Sequence, residues 1–235
     1  MIAGLQKMTL LDYPGKVACT VFFQGCNFRC PFCHNSGLLG KEAETEISVE
    51  ELLTFLKKRV GLLDGVCITG GEPTLDPGLP ELLRQIKDLG YDIKLDTNGN
   101  RPEIMKTLAE KGLIDYVAMD IKNCPERYGA TVGISGMSLA KIEDSVRWLL
   151  EGHIDYEFRT TVVAELHDEA AFEAIAQWLQ KLNPNAQAEK FFLQPFVDRD
   201  SVLQAGLHAP AGEDLEKMAK ILGKSAKSVK IRGMD

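Results

Sequence analysis

The sequence VACTVFFQGCNFRCPFCHN, residues 17–35, joins a short apolar run to a loop that carries three cysteines. β-branched and aromatic side chains dominate the run from Val17 to Phe23, which is typical of a buried strand. Gly25 and Pro31 lie in the stretch that follows, and both residue types favour turns. We therefore predict a strand that ends in a cysteine-bearing loop.

Similar apolar runs recur along the chain and alternate with segments of helical periodicity. The predicted strands are residues 17–23, 66–69, 91–96, 115–121, 154–163 and 190–194, and the predicted helices are residues 48–63, 78–89, 102–111, 138–151, 169–182 and 213–222. Such alternation favours parallel strands joined by right-handed crossovers. Six units fall short of the eight that close a TIM barrel. We predict an α/β fold, an open six-stranded parallel (β/α)6 partial TIM barrel, with a doubly wound sheet as the alternative.

Length and composition are typical of one globular domain. The chain has 235 residues, of which 45% are hydrophobic and 26% are charged, and its formal net charge is −7. We predict a single domain over residues 1–235, with a core at about 15–200, an N-terminal extension and a C-terminal helical segment. The acidic balance argues against nucleic acid as a partner. Without a signal-peptide pattern or a long apolar run, we expect a cytoplasmic protein with no membrane partner.

Three of the six cysteines, Cys26, Cys30 and Cys33, follow a C-x3-C-x2-C spacing. In a reducing compartment, such crowding favours a metal or a cluster over disulfides. Three thiolates can hold three irons of a 4Fe-4S cube, which leaves the fourth iron open to a substrate. A zinc site with His34 as a fourth ligand, a simple electron carrier and unliganded thiols stay open as alternatives.

Polar residues follow the predicted strands at their carboxyl ends, where α/β folds collect their chemistry. They are Gly70, Gly71 and Glu72 after the second strand, Asp96 to Gly99 after the third, Met119, Asp120 and Lys122 at the fourth, and Arg159 in the fifth. Each of these groups has a structural alternative, such as a simple turn at Asp96 and Asn98 or a solvated lysine at Lys122. We expect both His153 and His167 at the surface.

The cysteine loop, with Phe32 just before its last cysteine and Gly-Gly-Glu-Pro after the next strand, resembles the radical S-adenosylmethionine superfamily. Within that superfamily, residues 33–35 (CHN), 96–99 (DTNG) and 120–122 (DIK) resemble the glycyl-radical-enzyme activases. The opening TLLDYPGK, residues 9–16, is similar to the branch of anaerobic ribonucleoside-triphosphate reductase activating proteins. The resemblance runs from about residue 5 to residue 196.

This resemblance implies reductive cleavage of S-adenosylmethionine at a 4Fe-4S cluster held by Cys26, Cys30 and Cys33. The implied cofactor-binding residues are Phe32, His34, Gly70, Gly71, Glu72, Asp96, Thr97, Asp120 and Lys122. A monovalent-cation site is implied for Asp96, Thr97, Met119 and Asp120. Asp12 and Arg159 are implied to contact the backbone of the target glycine loop, with a structural ion pair as the alternative.

We therefore expect an activase that generates a glycyl radical on a large partner enzyme, an anaerobic ribonucleotide reductase, with electrons from a flavodoxin- or ferredoxin-type donor. The cation site and the target contacts are implied by the resemblance to pyruvate formate-lyase activase, which has a histidine near the cofactor after its sixth strand, where this chain reads Gln194-Pro195-Phe196-Val197. One alternative is a radical S-adenosylmethionine enzyme that acts on a small molecule, in the manner of 7-carboxy-7-deazaguanine synthase. The other is a non-catalytic iron-sulfur or zinc protein.

Overall fold

The computed structural model describes residues 1–40 and 47–233, and they form two compact units. The first unit comprises residues 1–27, 35–97 and 101–118, and the second comprises residues 28–34, 98–100 and those from 119 onward. Residues 41–46 and 234–235 lie outside the described part, so the predicted single domain over residues 1–235 stays a prediction. Within the described ranges, we find no helix with the length and apolar character that a membrane span needs.

The described residues contain eight strands and seven α-helices, which alternate from β2 onward except that α4 and α5 follow one another. The strands are β1 (Ile2–Thr9), β2 (Ala18–Phe23), β3 (Gly65–Gly70), β4 (Asp92–Thr97), β5 (Tyr116–Asp120), β6 (Asp155–Val162), β7 (Ala188–Pro195) and β8 (Ala226–Ile231). The helices are α1 (Val49–Lys57), α2 (Leu79–Asp88), α3 (Pro102–Glu110), α4 (Pro125–Thr131), α5 (Ala140–Leu150), α6 (Glu169–Leu182) and α7 (Gly212–Leu222). All six predicted strands and all six predicted helices are confirmed, whereas α4 was not predicted.

The prediction of six strands is wrong in number, because β1 and β8 also form. β1 pairs antiparallel with β2, and β8 pairs parallel with β7. Each lies at the end of its unit's strand order and is only partly buried, and β1 carries Lys7 while β8 carries Lys227 and Lys230. Charged residues on an outermost strand discourage pairing with other chains, and they also interrupt the apolar run that marks a buried strand. Parts of the predicted N-terminal extension and C-terminal helical segment are therefore strands.

In the first unit, β1 to β4 lie side by side in chain order, and β2, β3 and β4 run parallel. Thr20 on β2 lies opposite Cys67 on β3, which in turn lies opposite Lys94 on β4. The helix α1 begins with a capping box, since Ser48 Oγ accepts from the Glu51 amide at 3.1 Å and Glu51 Oε2 accepts from the Ser48 amide at 2.9 Å. This cap agrees with the predicted start of the first helix.

In the second unit, β6, β7 and β8 run parallel in chain order. The core here is rich in aromatic side chains, and Phe158, Phe172 and Phe191 are fully buried. The helix α6 is capped by Asp168, whose Oδ1 accepts from the Ala171 amide at 2.8 Å. Apart from β1, the paired strands in each unit are parallel, which confirms the predicted α/β class, while the open partial barrel stays a prediction.

Candidate active site

In the first unit, the loops that follow β2 and β3 are in direct backbone contact. The Gly71 amide donates to the Phe23 carbonyl, and the Glu72 amide donates to the Gly25 carbonyl, both at 2.8 Å. A Cβ atom at Gly71 would lie 2.0 Å from Gly25 O, and one at Gly70, whose φ is +123°, would lie 2.2 Å from Phe23 N. Only glycine fits at these positions. Sequence reasoning missed this loop-to-loop contact, and the predicted approach of the two glycines to a cofactor stays a prediction.

Glu72 is buried, with 1% of its surface exposed, and it ties the β3 loop to the end of β4. Its Oε1 accepts from the Thr74 amide at 3.1 Å, from Thr74 Oγ1 at 2.5 Å and from Thr97 Oγ1 at 2.8 Å. Hydrogen bonds to a carboxylate are stronger than those between neutral groups. The structure thus brings together Glu72 and Thr97, two of the predicted cofactor-binding residues.

Asp96 has a buried cation beside it that sequence reasoning missed. Lys94 Nζ forms an ion pair with Asp96 Oδ1 and lies 3.9 Å from Cys67 Sγ. The Lys94 side chain is 1% exposed. A sequence signal did exist, because Lys94 and Asp96 alternate with the apolar residues of β4, and residues i and i+2 of a strand share a side.

The three loop cysteines are divided between the two units. Cys26 belongs to the first unit, and Cys30 and Cys33 belong to the second. Cys30 is buried, as is Phe32, while Cys26 and Cys33 are half-buried. The Cys33 amide donates to the Cys30 carbonyl at 3.1 Å, which closes a turn. All six cysteines fall within the described residues, and none forms a disulfide.

Two observations bear on whether this loop suits a 4Fe-4S cluster. Three cysteine thiols on one short loop are the donor type that such clusters use. Gln24, two residues before Cys26, has a buried Nε2 without a hydrogen-bond partner in the described part of the chain, and a buried donor of this kind calls for an acceptor such as a thiolate or sulfide. The residues therefore fit the cluster. Within the described ranges, we find no group of three His, Cys, Asp or Glu side chains arranged around a single metal-ion position.

In the second unit, the segment after β7 is fastened to His34. The His34 ring stacks on Phe196 at 5.4 Å between centroids, and its Nε2 donates to the Val197 carbonyl at 2.7 Å. Ser201 Oγ donates to the His34 carbonyl at 2.7 Å. Burial lowers the pKa of His34, which favours the neutral ring. Residues 194–197, which carry no histidine, thus contribute Phe196 and Val197 as contacts of His34. No sequence signal indicated these contacts.

Asp120 lies between two cations of the second unit. Its Oδ1 accepts from Arg159 Nε at 3.0 Å, and its Oδ2 accepts from Lys122 Nζ at 2.8 Å. Burial raises the pKa of Asp120, but the charges of Arg159 and Lys122 outweigh burial and lower this pKa to about 2. Burial also lowers the pKa of Lys122, and the attraction of Asp120 raises it well above its ordinary value. All three groups are therefore charged at neutral pH. The Lys122 side chain is 15% exposed, so the alternative of a solvated Lys122 is wrong.

The backbone next to this triad is held by buried groups. His167 is 2% exposed, so the expectation of a surface position is wrong, whereas His153 is exposed as expected. His167 Nδ1 accepts from the Val163 amide at 3.1 Å, which leaves Nε2–H to donate to the Lys122 carbonyl at 2.9 Å. Burial lowers the pKa of His167. Sequence reasoning missed this support because it depends on a contact across 45 residues.

The remaining predicted site residues have identifiable contacts within their own units. Asp12 is half-buried, and its Oδ2 accepts from Thr20 Oγ1 at 2.6 Å. Met119 is buried against Gly99, where a Cβ atom would lie 2.1 Å from Met119 Cε. Asn98 Oδ1 accepts from the Asn100 amide at 3.0 Å, which agrees with the turn proposed as an alternative there. The roles of Asp12 and Arg159 toward a peptide stay predictions.

Comparisons of sequence find several relatives. A family model described as the Radical SAM superfamily matches residues 20–179. A Methanocaldococcus jannaschii protein, named as a candidate glycyl-radical enzyme activating enzyme, is 31% identical over 241 residues, and the alignment covers 99% of this chain and 95% of that protein. A Thermococcus kodakarensis protein assigned as a GTP 3′,8-cyclase is 31% identical, with 83% and 64% covered. The 7-carboxy-7-deazaguanine synthase of that organism is 29% identical, with 64% and 66% covered.

Solved structures share the fold at lower sequence identity. A domain of pyruvate-formate lyase-activating enzyme from Bacteroides vulgatus aligns with a TM-score of 0.59 and 21% identity, covering 72% of this chain and 99% of that one. The enzyme anSMEcpe, solved with bound AdoMet and a Cp18Cys peptide, aligns with a TM-score of 0.63 and 16% identity, covering 89% and 61%. These two alignments show the shared fold, while the family model and the nearly full-length relative identify the chain as a member of the radical SAM superfamily.

Proposed function

We propose that this chain is a glycyl-radical-enzyme activase that cleaves S-adenosylmethionine reductively at a 4Fe-4S cluster. The observation that carries the proposal is the loop of Cys26, Cys30 and Cys33 in a radical SAM chain that aligns over 95% of a candidate glycyl-radical activating enzyme. The segment TLLDYPGK at residues 9–16 supports an anaerobic ribonucleotide reductase as the partner. The electron donor is a flavodoxin- or ferredoxin-type protein, and the reaction takes place in the cytoplasm.

Cys26, Cys30 and Cys33 would hold the cluster, and the buried amide of Gln24, two residues before Cys26, would be a donor toward it. When bound, such a cluster would supply an iron for the cofactor and would pass on one electron from the donor protein, which is the chemistry that cleaves S-adenosylmethionine to methionine and a 5′-deoxyadenosyl radical. The half-buried environment of Cys26 and Cys33 keeps part of the loop accessible to a cofactor.

S-adenosylmethionine carries an ammonium, a sulfonium and a carboxylate, so its binding residues need charges of both signs. Glu72 and Asp96 are acceptors for the positive groups, with Gly70 and Gly71 adding bare backbone, and Thr97 holds Glu72 in place. Lys122, whose positive charge is stabilised by Asp120, is a donor for the cofactor's carboxylate. Phe32 and the backbone of His34 are proposed contacts of the adenine.

The target glycine loop is a peptide and is recognised through its backbone. We assign this to Asp12, which can accept from a peptide N–H, and to Arg159, which can donate to a peptide carbonyl. The open partial barrel that we predict gives such a loop access to the cofactor. The cation site predicted from Asp96, Thr97, Met119 and Asp120 stays a prediction; in the structure, protein cations already lie beside both carboxylates.

A second candidate is radical chemistry on a small molecule. The relatives named for GTP cyclisation and for deazaguanine synthesis favour it, since they align with this chain at 31% and 29% identity. The two alignments cover 64% and 66% of those proteins, whereas the alignment with the activating relative covers 95% of that protein. Turnover of a free purine or pterin by the reduced protein would favour this candidate.

The test is anaerobic reconstitution with iron and sulfide, chemical reduction, and assay for 5′-deoxyadenosine and for a glycyl-radical signal on added anaerobic ribonucleotide reductase. We expect both products from the natural sequence and neither from Cys30→Ala. Cys124→Ala is the matched control, because Cys124 is also buried but lies outside the loop. Cleavage without a glycyl signal would contradict the assigned partner, and failure to bind a cluster would overturn the proposal as a whole.

A further inference from the structure

We propose that Lys94 is the resident counter-cation of Asp96, in place of an inorganic monovalent ion, and that it positions this carboxylate for the cofactor. The effect on the cofactor rests on the proposed function. The part that concerns the ion pair does not, because it depends only on residues of the first unit.

The burial of Lys94 is the first reason. Lysine is almost never fully buried unless it is paired, because the removal of an ammonium from water is costly. The Lys94 side chain is 1% exposed, and that of its partner Asp96 is 13% exposed. A charge kept at this depth needs a carboxylate partner, and Asp96 is that partner.

The register of the strands is the second reason. Lys94 and Asp96 share one side of β4, and Cys67 lies opposite Lys94 on β3. Cys67 is a small side chain, and its Sγ lies 3.9 Å from Lys94 Nζ. The ammonium therefore lies over a thiol and reaches along its own strand to Asp96, two residues nearer to the carboxyl end.

The chemistry of the pair is the third reason. An ammonium and a sodium or potassium ion carry the same charge, and each neutralises one carboxylate. A tethered ammonium, however, occupies its position at any ion concentration. Asp96 then keeps its orientation without salt, while Thr97, the next residue, is fixed separately by its bond to Glu72. We therefore expect the natural sequence to behave alike in sodium, potassium and bulky-cation buffers.

The test compares the natural sequence with Lys94→Met, which keeps the length of the side chain and removes its charge. Binding of S-adenosylmethionine to the reconstituted protein is followed by the change in the cluster's electron-paramagnetic-resonance signal in sodium, potassium or choline chloride at equal ionic strength. We expect the natural sequence to bind equally in all three salts. Lys94→Met should bind about tenfold more tightly in sodium or potassium than in choline, since small ions can take the vacated place.

Thermal unfolding of the cluster-free protein is the second readout, and it is independent of the proposed function. Only Lys94→Met should have a higher Tm in sodium than in choline, and the double variant Lys94→Met/Asp96→Asn should lose that difference. Lys87→Met, which removes an ion pair with Asp115 in the same unit, is the control and should respond to salt like the natural sequence.

Two results would overturn the inference. One is that the natural sequence binds S-adenosylmethionine only in sodium or potassium. This measurement needs no variant, so it does not depend on the folding of Lys94→Met. The other is an equal loss of stability and binding by Lys94→Met in all three salts, which would make Lys94 a structural residue alone. If the Tm result holds while S-adenosylmethionine does not bind, the ion pair stands and the proposed function fails.

Discussion

Arg159 Nε lies 3.0 Å from Oδ1 of Asp120, and this contact joins β6 to the carboxyl end of β5. The pair is partly buried, with the Arg159 side chain 11% exposed. Because the same carboxylate also accepts from Lys122, Asp120 has a fixed orientation and a stable negative charge. A contact of this kind can serve stability and function together, and the two roles can be separated by mutation.

Arg159→Met should destabilise the protein by roughly 2 kcal/mol, because it leaves Asp120 with one cation fewer in a partly buried place. Denaturant unfolding measures this change. The control is Arg84→Met, which breaks an exposed ion pair with Glu81 and should cost less than about 1 kcal/mol. Equal losses for the two variants would show that the Arg159 contact adds no more than a surface pair.

The stability of the protein should fall as the pH drops below about 6.5, in part because of His167. Its pKa is lowered in the folded protein by burial, which outweighs the bonds to Lys122 and Val163 and the charge of Asp168, while Arg127 acts in the same direction as burial. The unfolded chain then binds a proton that the folded chain resists. The stabilisation is complete above the unfolded pKa and is lost as the pH falls toward the folded one.

His167→Gln should flatten this pH dependence, as measured by urea midpoints between about pH 5 and pH 7.5. Glutamine retains an amide that can donate to the Lys122 carbonyl but cannot take up a proton in this range. Part of the slope should remain, because burial also lowers the pKa of His34. An unchanged slope in the variant would contradict the assignment to His167.

Gly71→Ala should destabilise the protein by about 1–3 kcal/mol, since its Cβ would meet backbone that cannot move away easily. The clash is with Gly25 O at 2.0 Å. Gly37→Ala is the matched control, because Gly37 is exposed and a Cβ atom there meets nothing within 4 Å. Thermal or denaturant unfolding measures the stability of the two variants. A Gly71→Ala variant as stable as the natural sequence would mean that the two loops can separate without cost.

Phe196→Leu should weaken binding of S-adenosylmethionine more than it weakens the fold. Leucine retains most of the buried apolar surface, so the fold should lose no more than the stacking on His34, about 1 kcal/mol. Without that ring His34 is held less firmly, and its backbone is a proposed contact of the adenine. Isothermal titration of the reconstituted protein measures the affinity, and denaturant unfolding measures the stability. A loss of stability without a loss of affinity would limit the role of Phe196 to packing.

Much of the fold was predictable because buried parallel strands are encoded by local apolar runs. Residues 17–23 and 115–121 show this, and both became strands at nearly those bounds. β1 and β8 escaped prediction because each lies at the end of its unit's strand order, where one neighbour is enough and lysines are tolerated. Their pairing depends on a partner strand rather than on their own composition.

For the candidate site, the sequence by itself determined which chemical groups are present and in what order along the chain. The sequence itself shows the spacing of Cys26, Cys30 and Cys33 and the two glycines at 70 and 71, because these are properties of the order of residues along the chain. Tertiary structure alone decided that Lys94 is buried beside Asp96, that Arg159 reaches the same carboxylate as Lys122, and that Phe196 stacks on His34. These pairings follow from strand register and burial, which place charges and rings within contact distance and set the cost of leaving a charge unpaired.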